Sequence, residues 1–478
     1  MKLRYINFQR HLIGLFFATF LAGTFTSGLK AEQASIATTR PQVLVDATSQ
    51  GIRGDGATLN TAAIQLAIDS LTSHGGGVLE FPAGRYVTGT IQLKDNVRLR
   101  LGPDAILLGS HNPADYRILE PFVTGDGGNL GYALVTAVDA SHVGIEGSGK
   151  IDGQGKSLKA AQAKFTIRPF LIRWVRCTDV VVRDVHLTDP GAWTMHFFQC
   201  KNVVAEKLTI RSADSHLTNN DGIDIDSCQG ALVSDCDIES GDDAICVKTT
   251  SPKTCGDQII TDCKLKTRCN GIKLGTESIG DFANIRVSNC KLHDIGMSGI
   301  ALYAVDGAQL HDVTLTDLDM DGVTVPISIR LGARLKTFHP GDQMRPVGSL
   351  HDITIENIHA TGAKQIGLLI NGIPDHPVES LRLKNIDITL NGGGKITDAD
   401  VQLAEKEKAY PEYNMFGKVM PAYGAYIRHA RGVSSEHVKL STTRPDARPG
   451  VDLIDAEGVN VGDFAVATPA APTTLPDR

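Results

Sequence analysis

The sequence lacks the features of nucleic-acid-binding and membrane-spanning proteins. Its 478 residues carry a net charge of -7, so no overall positive charge would attract a nucleic acid. No segment after residue 31 is apolar enough to span a bilayer, and the apolar run over residues 12–24 is too short for a confident span. Aromatic residues make up only 5%, whereas glycine is abundant, which favours short strands and tight turns over helical bundles. We therefore predict an all-β protein with no nucleic-acid partner and no stable membrane partner.

The N-terminus has the pattern of an export signal. Basic residues occur within the first ten positions, an uncharged apolar run follows, and small residues lead to Ala31. We predict a signal peptide over residues 1–31, and hence export to the periplasm or the extracellular space. An uncleaved membrane anchor is the alternative.

Nine cysteines are an odd number for an exported chain, and all lie between Cys177 and Cys290. They recur at matching places in a strand pattern, which favours small buried apolar side chains. One or two disulfides remain an alternative, and the sequence does not define which cysteines would pair. The spacings match no zinc site, and we predict no metal and no cofactor.

Short strands recur along most of the chain and indicate its fold. Similar units begin at Cys177, Cys200, Cys228, Cys255, Asp281 and Asp306. Their period of roughly 21 to 28 residues is too long for hexapeptide coils and too short for propeller blades. We predict an all-β, single-stranded, right-handed parallel β-helix, a solenoid whose coils bury one continuous core.

One amphipathic helix before the repeats predicts an N-terminal cap on this solenoid. Its apolar face contains Ile64, Ala67, Ile68 and Leu71. Thr58 or Asn60 is expected to cap it. We predict the cap and first coils over residues 32–110, the catalytic β-helix over 111–466 and a flexible tail over 467–478.

Three longer insertions interrupt the repeats, at residues 110–130, 335–347 and 392–422. Because insertions in a solenoid form loops on its surface, we predict that these segments wall a groove along one face.

Two clusters of aspartates mark the centre of the chain. The first holds Asp221, Asp224 and Asp226, and the second holds Asp242 and Asp243. If their strands are equivalent in successive coils, Asp221 lies above Asp243 at roughly 4.8 Å. Carboxylates this close cannot all ionise freely, which supplies a general acid and a general base at one pH. The alternatives are a solvated acidic edge and a calcium site.

Alignment of the repeats predicts three columns of stacked side chains that face one surface. The first column holds Arg173, His196, Asp224, Cys246, Lys273, Ala301 and Ser328. The second holds Asp226, Lys248, Gly275, Tyr303 and Arg330, and the third holds Trp193, Asp221 and Asp243. Carboxylates in the middle with cations beside them suit the cleavage of an anionic sugar chain.

We therefore predict substrate-binding roles beside the carboxylates for Lys248, Lys273, Arg330, Trp193 and His196. Cations pair with substrate carboxylates, and an aromatic ring gives a sugar a flat apolar surface. The alternatives are corner packing for Trp193, an ordinary surface histidine for His196 and a structural ion pair for Arg330.

The chain resembles the polygalacturonases and their relatives in glycoside hydrolase family 28 over most of its predicted mature length. Two motifs are specific: Asn219 to Asp221 resembles the family's Asn-Thr-Asp motif, and Gly241 to Asp243 resembles its Gly-Asp-Asp motif. The resemblance implies hydrolysis by single displacement with inversion. It makes Asp242 the general acid, and Asp221 and Asp243 the residues that hold and deprotonate water.

Two departures from the family pattern concern the substrate. Asn270 stands where the family has a histidine, and Ala301 and Tyr303 stand where it has cations for galacturonate on the leaving-group side. We expect Asn219 and Asn270 to bind substrate, and Lys273 and Arg330 to replace the missing cations in part. A leaving-group sugar without a carboxylate, such as rhamnose, is the other explanation.

The function predicted from sequence is that of an exported glycoside hydrolase acting on pectic polysaccharide, exo-acting and polygalacturonase-like. The alternatives are a rhamnogalacturonan hydrolase, a β-helix polysaccharide lyase and a non-catalytic glycan-binding β-helix.

Overall fold

The computed structural model describes residues 43–123, 129–213, 217–459 and 461–470. The predicted export signal and the predicted tail beyond residue 470 lie outside these ranges. Within them, no helix is both long and apolar enough to cross a membrane.

Three parallel sheets run along the molecule and enclose one core, which confirms the predicted right-handed parallel β-helix. The first, called the site sheet here, consists of Ile91–Leu93, Asn129–Val138, Phe170–Val175, Met195–Phe198, Ile223–Asp226, Ile245–Thr249, Ile272–Ser278, Ser298–Ala304, Val325–Leu331, Leu368–Asn371, Ala425–Arg431 and Val451–Glu457. The second consists of Leu44–Asp46, Gly77–Phe81, Val97–Leu101, Gly144–Glu146, Thr178–Arg183, Lys201–Glu206, Gln229–Ser234, Cys255–Thr261, Phe282–Ile295, Gln309–Asp321, Ser349–Leu350, Ile353–Ala363, Val378–Glu379, Leu381–Leu390, Ser434–Thr442 and Phe464–Ala467. The third consists of Asp55–Leu59, Gly84–Thr88, Ala105–Gly109, Lys150–Asp152, His186–Thr188, Thr209–Arg211, Asp237–Ser240 and Lys264–Thr267.

From Phe282–Ile295 onward, long strands continue the second and third sheets together. This strand pairs with Cys255–Thr261 in one sheet and with Lys264–Thr267 in the other. The coils are therefore stacked without interruption from the acidic centre to the C-terminal end.

Polar residues in left-handed backbone conformation bend the strands of the second sheet near their starts. Asp257, Asn284 and Asp312 follow one another in successive coils, with φ values of 57°, 53° and 55°. Asn and Asp adopt this conformation more readily than other residues with side chains. Asn284 Nδ2 also donates a hydrogen bond to Asp257 Oδ1, which links the bends of two successive coils.

The cysteines line the core, and all nine are free thiols. Cys177, Cys200 and Cys228 directly precede successive strands of the second sheet, and Cys255 is the first residue of the next. Cys200 N lies 3.3 Å from Cys228 Sγ. The prediction of buried apolar cysteines is confirmed for eight of the nine, while Cys269 is partly exposed.

The capping helix, α1, spans Thr61–Ser73 and buries its predicted face of Ile64, Ala67, Ile68 and Leu71. Its N-cap residue is Asn60, but the Asn60 side chain makes no capping bond to the helix. Asn60 Oδ1 instead accepts from Arg53 N at 2.8 Å and so holds the preceding loop. A second, short helix, α2, spans Gly155–Ala160 and was not predicted.

The insertions differ in form. Ile118–Val123 pairs antiparallel with Asn129–Val138, so the described part of the first insertion is a hairpin rather than a plain loop. Residues 392–422, called the cover segment here, contain the 3-10 helices Ile396–Asp400 and Tyr413–Phe416. Phe416 and Met420 of this segment pack on the site sheet in a cluster with Val325, Ile366, Leu369 and Tyr426. The other short 3-10 helices are Ala47–Gln50, Pro113–Asp115 and Val461–Asp463.

Candidate active site

The site sheet has the register that the repeats predict for the first column. Arg173 is paired with His196 in the next coil. Asp224 is paired with His196 on one neighbouring strand and with Cys246 on the other. The column then continues through Lys273, Ala301 and Ser328. Residues from distant parts of the sequence therefore share one surface because the coils are stacked in register.

The second column follows the prediction only in part. Asp226 faces Lys248, and Tyr303 faces Arg330. The predicted pairing of Lys248 with Gly275 is wrong, because the register shifts between Val247 and Thr249. Thr249 faces Ser278, so the strand opposite Lys248 bulges outward.

The turn before each strand places the third column. Thr194 N donates to Asp221 O, and Gly222 N donates to Asp243 O, both at 2.9 Å. A side chain on Gly222 would bring its Cβ to 2.4 Å from the carbonyl oxygen of Ala244. Glycine after Asp221 is therefore needed for the two acidic coils to approach this closely.

Asp242 and Asp243 form the centre of the site. Asp243 Oδ1 accepts from Asn270 Nδ2 at 2.8 Å, and its Oδ2 lies 3.1 Å from Lys273 Nζ. Asp242 Oδ1 accepts from the Asp243 backbone N at 3.0 Å. The two carboxylates and Cys269 Sγ have atoms within 4.8 Å of one another. A divalent ion could contact these three groups, but Lys273 already occupies one face of Asp243, and we assign no metal site.

The environment moves the pKa values of these neighbours apart. Burial raises the pKa of Asp242, and the charge of Asp243 adds to this rise. Burial also acts to raise the pKa of Asp243, but the Lys273 ammonium and hydrogen bonds from Cys269 and Asn270 outweigh it and lower the pKa. Asp242 thus keeps its proton more readily than its neighbour, as a general acid beside a general base requires.

Asp221 is buried to the same extent as Asp243, with 4% of each residue exposed. Burial raises its pKa well above the ordinary value, and the charges of Asp224 and Asp242 contribute. Among the described residues, none donates a hydrogen bond to Asp221 Oδ1.

A buried ion pair lies beside the carboxylates. Lys248 Nζ is 2.7 Å from Asp224 Oδ1 and 3.9 Å from the ring centroid of Trp193. Burial raises the pKa of Asp224 to about 7, although Lys248 opposes the rise. Trp193 is only 5% exposed and packs against Phe170. Trp193 and Lys248 therefore border the acidic centre, as predicted.

His196 lies under this border and does not reach the groove. Its side chain is fully buried, with Nε2 3.3 Å from Asp226 Oδ2, and its ring contacts Trp193 edge-on at 5.1 Å. Burial lowers its pKa to about 4. The predicted surface position of His196 is corrected to one that supports Trp193 from below.

Arg330 is also covered. Its Nη1 donates to Gly372 O and its Nη2 to Glu405 O, both at 2.8 Å, and its guanidinium lies over Phe416. These contacts hold the cover segment on the site sheet. The structure thus places Arg330 among the residues that support the groove wall, away from an open substrate surface.

The two predicted asparagines differ in their surroundings. Asn219 is partly exposed, and its Oδ1 accepts from both terminal nitrogens of Arg168 at 3.2 Å. Asn270 is fully buried beside Asp243, where its Oδ1 accepts from Ser298 N at 3.1 Å. Asn270 therefore orients Asp243. It lies one coil beyond Asp243, where Ala244 N donates to Asn270 O at 2.9 Å, and the predicted third column did not include it.

Three residues of the site were not singled out from sequence. Glu412 Oε1 lies 2.8 Å from Lys273 Nζ, and the ring of Tyr410 lies 5.6 Å from the same ammonium. Both belong to the cover segment, which carries no repeat signal. Cys269 was counted with the core cysteines, although its place directly before Asn270 could have indicated its contact with the carboxylates.

The amino-acid sequence of this chain is similar to one protein-family model and to curated relatives. The family model described as Glycosyl hydrolases family 28 matches residues 116–407, more than half of the chain. A probable polygalacturonase of Vitis vinifera is 34% identical over 209 residues, which cover 41% of this chain and 42% of the relative. An exo-poly-alpha-D-galacturonosidase of Dickeya chrysanthemi is 26% identical over 271 residues, which cover 46% and 44%. The matches therefore span less than half the length of these two curated relatives.

Solved structures were compared as well. The crystal structure of an exopolygalacturonase from Thermotoga maritima superposes with a TM-score of 0.63 at 22% identity, and covers 77% of this chain and 91% of that chain. At this identity the likeness concerns the fold.

Proposed function

Because this chain belongs to the glycosyl hydrolases family 28, we propose that it hydrolyses glycosidic bonds in galacturonate-containing pectic polysaccharide. The observation that carries the proposal is a pair of adjacent carboxylates, Asp242 and Asp243, of which Asp243 lies 3.1 Å from Lys273 Nζ and accepts from Asn270 Nδ2 at 2.8 Å. The pKa of Asp242 is raised by burial and by Asp243, whereas that of Asp243 is lowered by Lys273 and its hydrogen-bond donors against the effect of burial. One protonated and one ionised carboxyl group are the two reagents of glycoside hydrolysis.

In the proposed mechanism, Asp242 protonates the glycosidic oxygen as the bond to the leaving sugar breaks. Asp243 accepts a proton from the attacking water, and Asp221 Oδ1, which no described protein group occupies, accepts the second hydrogen bond of that water. Attack from the face opposite the leaving group gives single displacement with inversion at the anomeric carbon.

The substrate side of the proposal rests on the charges next to the acids. The Lys248 ammonium at the Trp193 ring provides a cation and an apolar face on one side of the carboxylates. The relatives are named polygalacturonase and exo-poly-alpha-D-galacturonosidase. We therefore propose an exo-acting, polygalacturonase-like enzyme, exported by the segment over residues 1–31.

A rhamnogalacturonan hydrolase is the second candidate, and a specific observation favours it. On the C-terminal side of Lys273, the next coil presents Ala301 and Tyr303, both fully buried. The Tyr303 hydroxyl donates to Ser328 Oγ at 3.1 Å. This coil offers a substrate carboxylate no cation from either position.

The test measures reducing-end release and product size on polygalacturonate and on rhamnogalacturonan, for the wild type and for Asp242→Asn. Monomer from polygalacturonate that disappears in the variant supports the exo-acting candidate, and cleavage of rhamnogalacturonan alone supports the second. Proton NMR of the first product distinguishes inversion from retention. An ultraviolet-absorbing double bond in the products would instead indicate a lyase. No release from either polymer, with an unchanged variant, would overturn the hydrolase proposal.

A further inference from the structure

The cover segment brings a fourth carboxylate to the catalytic pair. Glu412 is only 7% exposed, and its Oε1 lies 2.8 Å from Lys273 Nζ. Its two oxygens also accept from Asn270 Nδ2 at 3.2 and 3.3 Å. Glu412 is thus bonded to the same lysine and the same asparagine that hold Asp243.

Lys273 is consequently shared between two carboxylates. Its ammonium lies 3.1 Å from Asp243 Oδ2 and 2.8 Å from Glu412 Oε1, and it is buried. An ammonium has three donors, so two are directed to protein carboxylates and one remains for a ligand. With both carboxylates ionised, the three groups carry a net negative charge.

The surrounding aromatic rings enclose this ammonium further. Tyr410 of the cover segment lies 5.6 Å from Lys273 Nζ and Tyr303 lies 6.0 Å from it, each measured to the ring centroid. Tyr410 is 52% exposed, so part of this residue is accessible to a ligand. A sugar bound here would contact an aromatic face and a lysine already paired with acids.

We propose that Glu412 is a specificity-determining residue that takes the place of a substrate carboxylate at Lys273, so that the subsite on the C-terminal side of Asp242 and Asp243 accepts an uncharged sugar. This proposal rests on the proposed glycosidase function and, within it, favours the second candidate, in which the leaving-group sugar carries no carboxylate.

The chemistry of the two kinds of sugar differs at this point. A hydroxyl group can accept the remaining Lys273 donor and donate its own proton to Glu412, so both partners are satisfied. A uronate carboxylate can only accept, and it would lie against the ionised carboxylates of Asp243 and Glu412. Discrimination therefore comes from a repulsive group as well as from an attractive one.

The test compares two ligands that differ in one charge and one ester methyl group. The first is digalacturonate, and the second is the same disaccharide methyl-esterified on its leaving-group sugar. Binding of each is measured by calorimetry in the Asp242→Asn background, so that no turnover occurs. Glu412→Gln is then added to remove the charge while keeping the shape, and Glu412→Asp is added to keep the charge.

We expect the Asp242→Asn protein to bind the ester more tightly than the acid. Adding Glu412→Gln should shift the ratio of the two dissociation constants towards the acid by at least ~10-fold, because one repulsive charge in a buried site is removed. Glu412→Asp should keep the original preference. Glu407→Gln, which removes the same charge from a partly exposed position of the same segment, should leave the ratio unchanged.

Three outcomes would overturn the inference. The first is a ratio of the two dissociation constants that changes by less than twofold in Glu412→Gln. The second is an equal loss of discrimination in Glu412→Asp and Glu412→Gln. The third is that neither ligand binds. In otherwise unmodified enzyme, Glu412→Gln should change the ratio of the KM values of the two substrates, whereas an effect on kcat through Lys273 and Asn270, which also hold Asp243, should be the same for both substrates. Failure of the proposed function shows separately, as the absence of hydrolysis in the polysaccharide assay.

Discussion

Removal of Lys248 should destabilise the protein by an amount that depends strongly on pH. Its ammonium lies 2.7 Å from Asp224 Oδ1, and both side chains are almost inaccessible to solvent. Asp226 faces Lys248 on the neighbouring strand. The charge of Asp221 also acts on Lys248, and the charge of Asp243 acts on Asp224. Lys248→Met keeps the length of the stem and leaves these acids without their cation.

The structure sets the size of the effect. Two unit charges 2.7 Å apart attract by about 6 kcal/mol at an effective dielectric constant of about 20, which is an upper bound for this pair. Removing one partner of a buried ion pair typically costs about 3–5 kcal/mol, because the other charge is left uncompensated. We expect a loss in that range at pH 8.

The pH dependence follows from Asp224. Burial raises its pKa to about 7 in the folded protein, and Lys248 opposes the rise. Between the unfolded value and this one, the folded state holds a proton that the unfolded chain has released, so the free energy of unfolding falls as pH rises. Without Lys248 the folded pKa moves further upward, and the fall continues to higher pH. The variant should therefore lose less stability at pH 5 than at pH 8.

Urea unfolding followed by circular dichroism at pH 5 and pH 8 provides the assay. Lys439→Met is the matched control, since Lys439 pairs with Asp387 at 3.1 Å on the exposed surface and should contribute less than about 1 kcal/mol. Asp224→Asn combined with Lys248→Met should recover part of the loss. Equal losses at the two pH values, or a loss as small as the control's, would refute the reasoning.

Three further predictions concern other parts of the fold. Gly222→Ala should lower the free energy of unfolding by about 1–3 kcal/mol and abolish activity, because the added Cβ would lie 2.4 Å from Ala244 O between the acidic coils. The melting temperature measures the first effect, and reducing-end release measures the second. Thiol titration in denaturant should give nine free thiols, and in native protein only the partly exposed Cys269 should react, slowly, because burial and the charges of the catalytic carboxylates raise its pKa. Phe416→Ala should cost about 3–5 kcal/mol and make the cover segment more sensitive to limited proteolysis.

Each of these has a contrary result. Full activity in Gly222→Ala would mean that the coils can separate without moving the acids. Fewer than nine thiols would mean that core cysteines are paired. An unchanged cleavage pattern in Phe416→Ala would mean that other contacts hold the cover segment.

The register of the site sheet could be predicted because each coil returns the chain to the same place. Asp224, Cys246 and Lys273 therefore face one another as the aligned repeats require. The aligned repeats give a residue's place along a strand, but they do not show what lies over that strand. His196 and Arg330 were accordingly placed in the right columns, while their burial under Trp193 and under the cover segment was missed.

Glu412 shows the same limit from the other side. It lies 139 positions from Lys273 in a segment without strands, and its contact depends on how that segment packs. The bulge opposite Lys248 depends on local residues that break the repeat length, which no average period reveals. The stacking of the coils could thus be predicted from sequence, whereas the packing of the insertions and the position of the bulge could not.

The stacked coils have a consequence for how such a protein can change over evolutionary time. The parallel strands of each coil pair with those of the adjacent coils, and the proposed catalytic carboxylates lie in two consecutive coils. Duplication or loss of a coil near either end would lengthen or shorten the groove without altering the spacing of Asp221, Asp242 and Asp243. The reach of the enzyme along a polymer and the chemistry at its centre can therefore be inherited as separate traits.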